Sequence, residues 1–237
     1  MRRSRAALCV VAVLTVGTAA AGAAPPQGKL PPETLRGPID RLRQYPVLSL
    51  ATPEQQAAAE ALWATTRAAT SVWQDPRAAR RAGFRVHRAA RKSGDVSPHW
   101  LHAEHHRWSN DNVFVDPKRP EVIIYANVPH KPLVLIGVMY GMKPGMRGPT
   151  PGGPIMRWHT HWICARGHKR GRSPLADGTC PPGTHGRQAR NEMLHVWFTH
   201  DLRSAFAVNP PQPELCVARL LPAGYCRRHK FQVGHHH

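Results

Sequence analysis

The segment Arg157-Trp158-His159-Thr160-His161-Trp162 carries two imidazoles one residue apart. Strand side chains alternate with a period of two, so on a strand His159 and His161 project from one face and the tryptophans from the other. Two neutral imidazoles side by side form half of a metal site. A second segment, Glu192-Met193-Leu194-His195-Val196-Trp197-Phe198, places His195 on the face of Met193 and Trp197, opposite an aliphatic face of Leu194, Val196 and Phe198. A polar ring among core-type residues needs a partner. That partner is either a backbone carbonyl or a metal ion shared with His159 and His161.

A third cluster runs from Ser97 to Trp108 and contains His99, His102, Glu104, His105 and His106. If it is helical from Pro98, His99, His102 and His106 share one face. If it is extended, His99 and His102 separate and only one of them joins a site. Glu104 is misplaced for the His-Glu-x-x-His zinc-peptidase pattern, so that chemistry is set aside. The serines lack a nucleophile elbow, and there is no Walker or dinucleotide glycine pattern.

The histidines therefore carry the functional expectation. It is a divalent metal held by His159, His161 and His195, with His99, His102 or Glu121 as a fourth ligand. A donor set rich in imidazole, with at most one carboxylate, favours zinc or copper, with non-haem iron third. A coordination position left open would suit a metal-dependent hydrolase or oxygenase acting on a small-molecule substrate. The run His235-His236-His237 is left out of this count.

The elements that must position these residues are readable in outline. Thr52 suits a helix N-cap, Pro53 the first helical position, and Glu54 and Gln55 the first turn of a helix reaching Thr70. Asp75-Pro76 starts a second short helix over Arg77 to Ala82, which Gly83 ends. Beyond Pro120 the pattern changes to Val, Ile, Leu and Tyr, predicting paired strands over Glu121 to Val128 and Leu133 to Met142. Met156 to Cys164 and Glu192 to Thr199 are two further strands, and the Gly-, Arg- and Pro-rich stretch between them reads as irregular. The expected fold class is α+β, with N-terminal helices followed by an antiparallel sheet or a small barrel-like sheet, in one domain over residues 51–237.

The N-terminus has the three-part layout of a secretory signal: Arg2, Arg3 and Arg5, an apolar run from Ala6 to Val16, and small residues from Gly17 to Ala24. Cleavage after Ala23 or Ala21 leaves a proline-rich leader to about residue 50 and an expectation of export. The apolar run is shorter than the roughly 20 residues a bilayer span needs, and no later segment replaces it, so the mature chain is expected to have no transmembrane segment. Cys164, Cys180, Cys216 and Cys226 then remain, an even number suited to an oxidising compartment. Local pairing of Cys164 with Cys180 and Cys216 with Cys226 is preferred over the two crossed arrangements.

Losing the three signal arginines lowers the formal charge from +19 to +16. Such a field attracts nucleic acid, acidic polysaccharide or an anionic envelope surface. A metal-free basic module for anionic polymers or the envelope is accordingly the alternative reading.

Two resemblances follow from these residues. Gly153 followed by His159-Thr160-His161 resembles the first half of the cupin metal motif, although Ala165 and Arg166 stand where cupins carry a glutamate. A broader pattern comprises Asp75-Pro76-Arg77-Ala78-Ala79 with Gly83-Phe84, then His99-Trp100, Asp116-Pro117-Lys118-Arg119-Pro120-Glu121 and Leu194-His195-Val196-Trp197. It resembles a family of uncharacterised exported bacterial proteins, and the resemblance implies that His99, Glu121 and His195 belong together.

Overall fold

Thr52 caps the first helix through both of its polar groups. Its hydroxyl accepts from the Gln55 backbone N–H (3.2 Å), and its own N–H donates to the Gln55 side chain (3.0 Å). This reciprocal box, with Pro53 in the first turn, starts α1, Pro53–Thr70. Ala59, Leu62, Thr66 and Thr70, spaced by three and four residues, form its buried stripe. The Asp75 carboxylate accepts from Arg77 N–H to open α2, Pro76–Arg81. Gly83 follows at φ +107°, a conformation that favours glycine, and a Cβ there would meet His105 Nε2 at 2.7 Å.

The computed structural model describes residues 37–38, 42–86, 99–128, 131–166, 180–189 and 191–230. The expected signal segment, His168 and the terminal histidine run lie outside them. The strands are β1 (Gly37–Pro38), β2 (Arg85–Val86), β3 (His99–Glu104), β4 (Val122–Asn127), β5 (Val134–Gly141), β6 (His159–Thr160), β7 (Trp162–Ala165), β8 (His185–Gln188) and β9 (Met193–Trp197). Seven of them form a sheet in the order β1-β6-β9-β5-β4-β3-β2, and β7 pairs with β8 separately. Every pairing is antiparallel except β1 with β6. The fold is α+β, and the sheet is open, with β1 and β2 at its edges, so the barrel-like alternative does not apply.

The two faces of the sheet bury different partners. Leu101, Ala103, Ile123, Tyr125, Val138, Tyr140, Leu194 and Val196 pack against the α1 stripe. There the Tyr140 and Thr66 hydroxyls share a hydrogen bond of 2.7 Å. Ile124, Ala126, Ile136 and Trp197 pack with Leu215, Cys216, Tyr225 and Cys226 of two C-terminal helices, α4 (Gln212–Val217) and α5 (Ala223–Arg228). A shorter helix, α3 (Leu202–Ala205), precedes them. These helices were not anticipated: each has four to six residues, too few for a periodic stripe to show.

Other expectations change too. The stretch from Met156 to Cys164 is not one strand, because the chain leaves the main sheet at His161 and enters the small one at Trp162. The segment expected to be irregular contains β8, whose Cys164↔Gly186 and Ala165↔His185 pairs lie beside the Cys164–Cys180 disulfide. The other disulfide joins Cys216 and Cys226. Part of the proline-rich stretch is docked: Leu42 is buried, Val208 N–H donates to Gln44 O (3.0 Å), and Tyr45 donates to Glu214 (3.0 Å).

Candidate metal centre

The exit of the chain at His161 positions the site. His159 belongs to β6, opposite Met193 of β9, and His195 lies two residues further along β9. The three rings converge, with centroids 4.9 Å apart for His159 and His195, 5.1 Å for His159 and His161, and 6.0 Å for His161 and His195. One potential ligand atom from each lies within 4.8 Å of the others. Metal–nitrogen bonds of about 2 Å put tetrahedral donors about 3.3 Å apart, so loading requires the most widely separated pair to close by up to about 1.5 Å.

The hydrogen bonds define which nitrogen each ring offers. His159 Nδ1 lies 2.8 Å from Arg157 O, and His195 Nδ1 lies 2.8 Å from Val208 O. A carbonyl only accepts, so both Nδ1 atoms carry the proton and both Nε2 atoms present a lone pair. His159 Nε2 is buried without a hydrogen-bond partner among the described residues. This is the outer-shell arrangement that fixes tautomer and ring orientation in metal-ligating histidines.

The protonation states agree. His159 is fully buried, and loss of hydration, with smaller contributions from His161 and Arg157, pushes its pKa down to about 3 against the opposing Arg157 carbonyl. Burial drives His195 well below the usual imidazole value, with His159, His161 and His102 adding to the effect. Half-buried His161 is lowered by burial and then by His102. Three neutral imidazoles are the form a metal requires.

Of the proposed fourth ligands, Glu121 and His102 are not in this group, and the side chain of His99 falls outside the described residues. Among the described residues, the donor group that could hold a metal is His159, His161 and His195 alone. The third histidine cluster is extended, as β3. His99 pairs with Asn127 at its end, and its side chain is outside the described set. His102 is exposed, near enough to bias His161 and His195 electrostatically, but not a member of the group.

Glu121 belongs to the other face. It continues the register of β4 to lie beside Tyr140, whereas His195 pairs with Met139 on the opposite side of the sheet. Its buried carboxylate accepts from Gly141 N–H (3.1 Å), and burial raises its pKa to about 7. Alternation along β4 thus separates Glu121 from His195, a consequence of parity that could have been read from the sequence once the register was known.

His105 shows what a purely structural histidine looks like here. Trp108 N–H donates to its Nδ1 (3.3 Å), so Nε2–H donates to Ala82 O (2.9 Å), and the ring stacks on Trp108 at 3.7 Å. Both of its nitrogens are used. What sequence reasoning missed at the histidine cluster is the pair of backbone carbonyls, Arg157 O and Val208 O, for which no side-chain signal exists. No protein-family model, curated protein or solved structure matches this chain.

Proposed function

We propose that this chain is an exported metal-binding protein whose centre is His159, His161 and His195. The observation that carries the reading is the pair of carbonyl-anchored rings clustered with a third imidazole, with His159 Nε2 buried and without a hydrogen-bond partner among the described residues. A buried lone pair without a donor costs about 1–3 kcal/mol, and a metal ion removes that cost. With no carboxylate in the donor group among the described residues, zinc or copper suits the set better than iron. Three protein ligands leave a position for a further one, the arrangement that metal-dependent hydrolases and oxygenases use. Export rests on the signal layout and on the resemblance to exported bacterial proteins. The two disulfides accord with it, as does the lack of any described helix long and apolar enough to cross a membrane.

Metal analysis of protein lacking residues 234–237 tests the reading. About one ion per chain is expected, and replacing His159 and His161 together by alanine should abolish it. His185→Ala, in exposed β8, should not. Absence of stoichiometric metal in the unmutated chain would favour the metal-free basic module.

A further inference from the structure

Two methionines border the triad. Met193 of β9 stands directly opposite His159 of β6, and Met139 of β5 directly opposite His195 of β9. Opposed residues of an antiparallel pair project from the same face with Cβ atoms about 4.5–5.5 Å apart. Met193 and His195, two apart on one strand, share that face as well. Met193 therefore borders two of the three imidazoles, one across the ladder and one along its own strand.

Met193 does not behave as ordinary core filling. Met142 and Met156 are buried in the main core, and the Met156 sulfur accepts from Gly152 N–H. Met139 and Met193 are only half-buried. Met139 leans on the core patch of Ile124 and Trp197, whereas Met193 belongs to neither core cluster. An unbranched thioether with three rotatable bonds beside a metal centre is a potential soft ligand.

The charge of the donor set points the same way. His159 and His195 are buried and anchored on carbonyls, the three imidazoles are neutral, and among the described residues no carboxylate belongs to the group. A divalent ion would leave two uncompensated charges in this setting and a monovalent ion one, and the desolvation cost rises steeply with charge. We propose that the centre binds copper in its cuprous form, with the Met193 sulfur as fourth ligand and Met139 shielding the side toward β5. The proposal rests on the histidine centre described above.

The test compares two metals on the exported protein lacking residues 234–237, as above. Cuprous ion is supplied with ascorbate, which leaves the disulfides intact, and its affinity is read by competition with a coloured cuprous chelator. Zinc affinity is read with a chromophoric zinc chelator. Met193→Leu should weaken cuprous binding by about tenfold or more, the scale on which a single neighbour of a bound metal acts, and shift zinc affinity by less than about twofold. Met139→Leu should have the smaller effect. X-ray absorption of the copper-loaded protein should show a sulfur scatterer that Met193→Leu removes. Equal cuprous affinities in the parent and Met193→Leu, or a nitrogen-only shell in the parent, would overturn the proposal while leaving the triad standing. Binding of neither metal by the parent would overturn the histidine centre itself.

Discussion

An imidazole has two nitrogens, and this decides how the histidines here divide. A carbonyl partner and a metal partner look like rival readings of His195, but Nδ1 meets Val208 O while Nε2 stays available, so one ring accommodates both. His105 has spent both nitrogens, and His105→Ala should cost about 1–3 kcal/mol by leaving the Ala82 carbonyl unpaired. Chemical denaturation should show that loss with metal stoichiometry unchanged. Glu121 supplies a pH signature of its own. Its pKa is raised by burial from 4.5 to about 7, so between these values the folded state binds more proton than the unfolded state, and stability falls as pH rises through about 7. At about 1.36 kcal/mol per unit, the shift amounts to roughly 3 kcal/mol. The stability of the parent relative to Glu121→Gln, whose amide oxygen can still accept from Gly141, should therefore fall as pH rises from about 5 to 7, a difference from which the opposite contribution of the lowered imidazoles cancels. An unchanged profile would show that another group controls this range.

The elements that hold the site are short, and hydrogen bonds at their ends matter as much as their apolar faces. The capping box on α1 is one such device, and Thr52→Ala should cost about 1 kcal/mol, seen as a lowered denaturation midpoint with metal binding retained. Strands β4, β5 and β9 follow the expected ranges within a residue or two at each end, because long apolar runs bounded by proline and polar residues leave few alternatives. The stretch from Met156 to Cys164 departs from expectation for a tertiary reason. At His161 the chain passes from one sheet to the other, with Ala189 N–H donating to His161 O (2.8 Å) and Gln188 donating to Thr160 (2.6 Å) to hold the crossing. Period two therefore did not bring His159 and His161 together by itself; the turn between sheets completed it.

Over the whole molecule, the Cys164–Cys180 bond is the covalent tie nearest the site, since it braces the β7–β8 ribbon that begins one residue after His161. Replacing both cysteines by serine should cost about 3 kcal/mol of stability, as for a closed loop of this length, and weaken metal binding by about tenfold. Cys216→Ser with Cys226→Ser should affect stability without a comparable loss of metal, because the Cys216–Cys226 bond braces α4 and α5 beneath Trp197. Isothermal titration of both double variants measures the contrast, and equal metal affinities would separate the ribbon from the site. The net positive charge belongs to this scale as well. It should produce retention on heparin that weakens steeply between low and physiological salt, with or without metal.

Much of this architecture follows from local chemistry that the sequence displays. The capped α1, the start of α2, the β4–β5 pair, β9, the local pairing of cysteines and the nomination of His159, His161 and His195 all rest on periodicity, caps, turn residues or short loops. What only the tertiary structure decided depends on relations between distant segments. The register places Glu121 and His195 on opposite faces, and the order β6-β9-β5 sets Met193 and Met139 beside the triad. Two carbonyls, more than ten residues from one histidine and two from another, orient the rings. Periodicity says which residues share a face of one strand; only the pairing of strands says which faces meet, because that choice is made by burial summed over the whole sheet.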